Sequence, residues 1–279
     1  MAEIFNFILV NPIINILIAI YKTLLILHIP YPLGFSIIVL TVVIRLILYP
    51  LTHSQLKASK KMQELSPHLS NLKDKHKGDA KKLQAETMRL YKEHGVNPAA
   101  GCVPLIIQIP IIWGLYSVLN KVVAVGSVNV ISDINKVVYF DFLKLAGKWD
   151  TFFFGIPLGQ NPSHLFQAMP LILLVPVLTA VFQFMQSKMM MPAKDKVKNI
   201  VPDKKDSAKA GQVKKKDDFA SVFQSQSLYI FPLMIGFFSY NFPIGLSLYW
   251  NTFSVFGIIQ QYQISGWGGL KDIWTRRKK

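Results

Sequence analysis

Residues 33–56 read LGFSIIVLTVVIRLILYPLTHSQL, and the fold turns on them. A hydrocarbon core of ~30 Å takes roughly 20 helical residues to cross; this stretch is long enough and carries one charge, Arg45. Working outward, four more apolar stretches are expected to cross, at residues 99–120, 166–190, 227–241 and 244–265. The last two part at NFPIG (241–245), where proline removes a backbone donor and a tight turn is expected. The predicted class is therefore an all-α membrane protein with five core transmembrane helices. Composition agrees: 51% of residues are hydrophobic and only 16% charged, too apolar a balance for an ordinary soluble domain.

Charge sets the expected orientation. Of the 31 Lys and Arg residues, ten fall in 57–92, ten in 188–216 and five in 271–279. Basic loops stay cytoplasmic, so the N-terminus is expected outside and the C-terminus inside, in the cell (inner or cytoplasmic) membrane. Residues 1–32 hold an apolar helix at 4–29 on which Asn11, Asn15 and Lys22 share one face, the pattern of an amphipathic helix lying in the interface; spanning is the alternative. No basic n-region or cleavage site precedes it, so it is expected to remain in the mature protein.

Between the first two spans, residues 57–98 predict a cytoplasmic helical hairpin. Leu56, Met62, Leu65, Leu69 and Leu72 make one stripe, and Leu83, Met88, Leu90 and Tyr91 the facing one. Asp79 suits an N-cap and Gly95 a C-terminal stop, while Pro67 argues against a straight first helix. Residues 121–165 carry Tyr139, Phe140, Phe142, Trp149 and Phe152 to Phe154, and are expected to rest on the outer membrane surface as an aromatic belt. Residues 191–226 read as a basic cytoplasmic loop, mostly disordered over 192–218, and 266–279 as a basic tail. Either could hold anionic lipid or ribosomal RNA, or act only as an orientation signal.

Arg45 lies about ten residues from each end of its span, ~15 Å from either surface at ~1.5 Å per residue. An arginine there costs on the order of 3 kcal/mol on insertion scales. None of the five stretches contains Asp or Glu, so a water-containing cavity within the membrane is expected, with pairing to backbone carbonyls as the alternative. Gln108 and Asn251, the latter flanked by Trp250, are the other candidate lining groups, although Gln108 could equally serve the carbonyls freed by Pro104 and Pro110, and Trp250 an interfacial anchor.

Several classes find no support in the residues. Cys102 is alone and no Cys or His pair has zinc spacing, so neither a metal nor another cofactor is expected. There is no GxxxxGK[ST] sequence, and all six histidines lie at span edges or in loops, so neither ATP hydrolysis nor intramembrane hydrolysis is expected and the chain is read as a non-enzyme. A small-solute transporter fits poorly without an internal repeat or a charge relay. A non-enzymatic assembly scaffold stays open.

Three blocks then become recognisable: VIRLILYPLTHSQ (43–55) followed by KKMQELSPHLSNLKDK (60–75), NPAAGCVPLIIQIPIIWGLY (97–116), and FPIGLSLYWNTFSVFGIIQQY (242–262). In this order, and over nearly the whole chain, they resemble the YidC family of membrane protein insertases, which includes mitochondrial oxidase-assembly and chloroplast Albino members. The resemblance implies insertion of nascent membrane proteins through a hydrophilic groove open to the cytoplasm and to lipid but closed to the outside. Arg45 would stand at its centre, with Gln108 and Trp250 on its wall and the hairpin as its mobile cytoplasmic element. The ribosome, the Sec translocon and the signal recognition particle pathway are the implied partners beside the bilayer itself.

Overall fold

A proline at position 50 decides where the first long apolar stretch divides. In the computed structural model, which describes residues 2–76, 78–97, 103–123, 130–147, 150–191 and 219–271, helix α3 (Pro32–Ile47) closes on Leu48, whose N–H donates to Ile44 O at 3.0 Å. Helix α4 (Tyr49–Lys75) starts at the next residue. Pro50 then falls in a first turn, where its missing donor is no loss. The stretch expected as one helix is thus two.

The protein is predominantly helical, and apart from α4 its longest helices are apolar. Ahead of α3 come α1 (Ala2–Phe5), a π-helical turn (Asn6–Val10) and α2 (Asn11–Ile26); α5 (Ala80–Glu93) and α6 (Val103–Val123) follow α4. Next are α7 (Val130–Val137), a 3-10 turn (Asp141–Leu143), the strands β1 (Phe152–Phe153) and β2 (Ile156–Pro157), and α8 (Pro162–Leu165). A second 3-10 turn (Pro170–Leu173) leads into α9 (Leu174–Met189), and α10 (Phe219–Asn241) and α11 (Ile244–Ser265) complete the order with a last 3-10 turn (Gly268–Leu270). Among the described residues, Glu3–Ile26 and Pro170–Met189 are each long and apolar enough to cross a membrane, and α3 joins them only if taken with the start of α4.

The chain divides into two compact units. The first comprises Met1–Tyr49, Pro104–Phe182 and Pro232–Phe256. Its core is aliphatic: Ile14, Leu17 and Ile18 of α2, Leu33, Ile37 and Leu40 of α3, and Leu115, Val118 and Leu119 of α6, joined by Ile134, Leu158 and Tyr249. Spacings of three and four residues on each helix produce the buried stripes. The polar face of α2 does not point away from this core. Asn15 is buried, its amide donating to Val137 O at 2.9 Å and accepting from the Tyr139 N–H at 2.7 Å. Residues 130–147 and 150–165 are therefore packed inward rather than only resting on a surface: Ile134, Leu143, Leu145 and Leu158 are buried, while Phe140, Phe142 and Phe154 stay exposed. Trp149 lies outside the described residues.

The second unit comprises Pro50–Val103, Gln183–Phe231 and Gly257–Lys279. Asp79 caps α5 by accepting from the Lys82 N–H at 3.0 Å. Gly95, at φ +62°, ends it, with Val96 N–H donating to Tyr91 O at 2.8 Å in the six-to-one bond of a Schellman motif. Helix α4 continues through Pro67, with Leu65 and Pro67 both buried. One expectation is corrected here. Met88 is 45% exposed, because five residues after Leu83 places it well off the stripe that Leu83 and Leu90 share. The middle of α4 is tied to two helix ends: Lys60 Nζ donates to Ile264 O at 3.2 Å and Gln63 Nε2 to Met190 O at 2.7 Å. The basic segments 192–218 and 272–279 lie outside the described residues.

Candidate functional site

Arg45 belongs to the first unit, on the face of α3 that Thr41 and Ile37 bury one and two turns earlier. An exposed hydroxyl inside an apolar helix would need water; Thr41 avoids this by donating back to Ile37 O at 2.6 Å. Arg45 cannot satisfy itself that way. Only 4% of it is exposed, and its Nη2 reaches the facing helix α11, donating to Phe253 O at 2.6 Å. The guanidinium carbon sits 3.4 Å from the centre of the Phe253 ring and 5.9 Å from that of Phe256, a desolvated cation–π contact. Its Nε is buried and has no hydrogen-bond partner.

The partners come from one stripe of α11. Tyr249, Phe253 and Phe256 recur at four and three residues, so they share a helix face, and the Tyr249 and Phe253 rings are 5.8 Å apart. Gln108 of α6 meets the same stripe, donating from Nε2 to the Tyr249 hydroxyl at 2.7 Å. Around the turn, Asn251 Oδ1 and Ser254 Oγ are buried with no partner.

Of the four residues the sequence singled out, Arg45 and Gln108 converge on this aromatic face. Trp250 does not; it lines a cavity of about 10 Å³ with Thr179, Ser239, Ser247 and neighbouring aliphatic and aromatic groups. Asn251 contributes the partnerless oxygen. The backbone carbonyl, kept as an alternative for Arg45, takes one of its N–H groups. Sequence reading missed Phe253, Phe256 and Ser254, although the four-and-three spacing of aromatics in FPIGLSLYWNTFSVFG was a usable signal. It also missed the hydroxyl chain beside Trp250, in which Ser239 Oγ lies 3.2 Å from Thr179 Oγ1 and 2.8 Å from Ser247 Oγ. Among the described residues no three His, Cys, Asp or Glu side chains are grouped as metal ligands.

Residues 24–268 match the family model described as 60Kd inner membrane protein. The membrane protein insertase MisCA of Bacillus subtilis is 33% identical over 84% of this chain and 70% of its own length. The membrane protein insertase YidC of Fusobacterium nucleatum is 32% identical over 83% of this chain and 85% of its own length. The inner membrane protein ALBINO3 of Arabidopsis thaliana chloroplasts is 31% identical over 88% of this chain but 49% of its own length, so the chain spans about half of the chloroplast relatives it matches. Among solved structures, an active YidC insertase crystal structure with the first transmembrane domain resolved aligns with a TM-score of 0.53 at 23% identity, covering 88% of this chain and 46% of that one. That likeness is one of fold.

Proposed function

This chain belongs to the 60Kd inner membrane protein family, the family of the YidC insertases, and from that premise we propose that it is a membrane protein insertase working through a hydrated intramembrane groove lined by Arg45, Gln108, Trp250 and Asn251. The observation that carries the groove is a set of buried polar atoms without partners, Arg45 Nε, Asn251 Oδ1 and Ser254 Oγ. A buried donor or acceptor left bare costs ~1–3 kcal/mol. Three in one unit of an apolar protein call for water.

The five crossings in this reading are α3 with the start of α4, α6, Pro170–Met189, α10 and α11. The basic segments then lie in the cytoplasm with the α4–α5 hairpin, in the inner membrane of the cell. The N-terminal helix lies in the outer interface, because Asn15 and Lys22 tie it to residues 137–144 on that side. A nascent chain's hydrophilic, often acidic, segment is drawn toward Arg45 while its apolar segment leaves along the exposed flank of Pro170–Met189, where Leu171, Leu174 and Val177 face outward. Burial of the apolar segment drives the process. For acidic tails the membrane potential adds ~2.3 kcal/mol per charge per 100 mV. No covalent catalysis is invoked, and nascent chains, the bilayer, ribosomes, the Sec translocon and the signal recognition particle pathway are the partners.

The contact between Arg45 and Phe253 favours one rival reading, a scaffold in which Arg45 only pins α3 to α11. Insertion of a single-span substrate with an acidic N-terminal tail into liposomes separates them. The groove reading expects loss with Arg45→Ala and substantial retention with Arg45→Lys. Full activity with Ala overturns the electrostatic mechanism.

A further inference from the structure

Phe253 holds Arg45 twice. Its backbone carbonyl accepts from Nη2 at 2.6 Å, and its ring centre lies 3.4 Å from the guanidinium carbon. The Nε and Nη2 N–H groups point the same way from a guanidinium, and together they form the fork that a carboxylate engages side-on. One prong of that fork is therefore taken by a neutral acceptor, while the other, Nε, is buried and bare. Arg45 is buried, whereas Phe253 is only half-buried. Of the pair, the ring is the part that an arriving segment reaches first.

The three rings of this stripe are not held alike. Tyr249 is buried, and its hydroxyl is fixed by Gln108 at 2.7 Å. The Phe253 side chain has no polar atom, so packing alone keeps its ring in place, and a rotation about its side-chain bonds uncovers the cation while α11 stays where it is. Phe256, 5.9 Å from the guanidinium carbon, is still within cation–π range and leaves the charge an aromatic neighbour when Phe253 turns away. We propose that Phe253 is a specificity-determining cover for Arg45, one that a carboxylate displaces and an uncharged polar group does not. Displacement gives up a desolvated cation–π contact and a hydrogen bond to a carbonyl. A two-pronged, charge-assisted bond is roughly twice as strong as a neutral one and outweighs that loss; a single amide or hydroxyl does not. The substrates selected at Arg45 are thus apolar segments with Asp or Glu in the adjoining tail, and a tail that is merely hydrophilic passes with Arg45 still covered. This deepens the insertase reading above and rests on it.

Ring fluorination tests it, because fluorine drains the negative face of a phenyl ring while nearly preserving its shape. Mono-, di- and trifluorinated phenylalanines are placed at position 253. Insertion into proteoliposomes is then followed against substrate concentration for an acidic-tailed single-span protein and for the same protein with every tail aspartate replaced by asparagine. For the acidic tail the half-saturating concentration should fall stepwise with fluorine number, by about tenfold in all, the scale of one desolvated cation–π contact. For the asparagine tail it should fall by no more than about twofold, because a neutral group does not outcompete the cover. Phe253→Leu should lie at the end of the series, and in an Arg45→Ala background the series should be flat. No trend with fluorine number, a rise in place of the fall, an equal fall for both tails, or the same trend without Arg45 overturns the cover. If Arg45→Ala keeps the preference for the acidic tail, the electrostatic part of the insertase reading fails and the cover with it. Loss of that preference in Arg45→Ala beside a flat fluorine series overturns the cover alone.

Discussion

Two sets of polar groups lie buried in the same unit, and they are finished differently. Beside α9, the hydroxyls of Thr179, Ser239 and Ser247 bond one another, and Thr179 also donates to Val175 O at 2.9 Å. Gly236 brings the helices close enough there for a Cβ to lie 3.0 Å from Ala180. Small residues with mutually satisfied hydroxyls are how helices are fastened where no hydrophobic force draws them together. At Arg45 the group is larger and its hydrogen bonding is incomplete: one guanidinium nitrogen is taken by Phe253 O, whereas Nε has no partner, and elsewhere on α11 neither Asn251 Oδ1 nor Ser254 Oγ has one. A satisfied cluster has only a structural task. An unsatisfied one has capacity for a ligand, here water and the polar part of a passing chain.

The contrast predicts that substitutions separate into those that change insertion and those that change stability. The largest effect on insertion belongs to Arg45→Ala, expected to slow insertion of an acidic-tailed substrate about tenfold or more, the scale of removing one well-placed charge–charge attraction. Initial rates in proteoliposomes at matched protein content check it. At the other cluster, Gly236→Leu should cost roughly 1–3 kcal/mol by overpacking α9 against α10, read as a lower unfolding temperature in detergent. Insertion per folded molecule should stay within about twofold, because this site makes no charge contact with a substrate. A stable Gly236→Leu protein with tenfold slower insertion would erase the distinction.

Much of this architecture was legible in the sequence because it depends on local rules. Apolar length marked the helices, Asp79 and Gly95 marked the ends of α5, and NFPIG marked the turn before α11, which starts at the expected Ile244. Arg45 stood out because a lone charge in a long apolar run has few physical explanations. What could not be read were the partners, which are set by tertiary approach. The carbonyl of Phe253 is invisible as an acceptor until α11 lies against α3. The polar face of α2 reads identically whether it meets headgroups or the backbone of residues 137–144. Phe153 sits in a run of three phenylalanines, and only the absence of a side chain at Gly34, whose space its ring fills, distinguishes it from its neighbours.

The smaller effects test the same contrast through a difference in sign. Ser239 and Ser254 are both serines on apolar helices, 5% and 0% exposed. Replacing Ser239 by Ala removes the middle of the hydroxyl chain and should cost about 1 kcal/mol, the net value of a hydrogen bond lost without a replacement. Ser254 has no protein partner to lose. In a dry core its bare hydroxyl would be a burden, and Ser254→Ala would stabilise the protein by ~1 kcal/mol. In a hydrated groove its partner is water, and the substitution should be neutral within about 0.5 kcal/mol. We expect neutrality, with insertion slowed less than about twofold, since one hydroxyl contributes little beside the charge. Paired unfolding curves for the two alanine variants decide it: a rise in unfolding temperature for Ser254→Ala would mean that this face of α11 is dry, leaving a hydrated groove there without support.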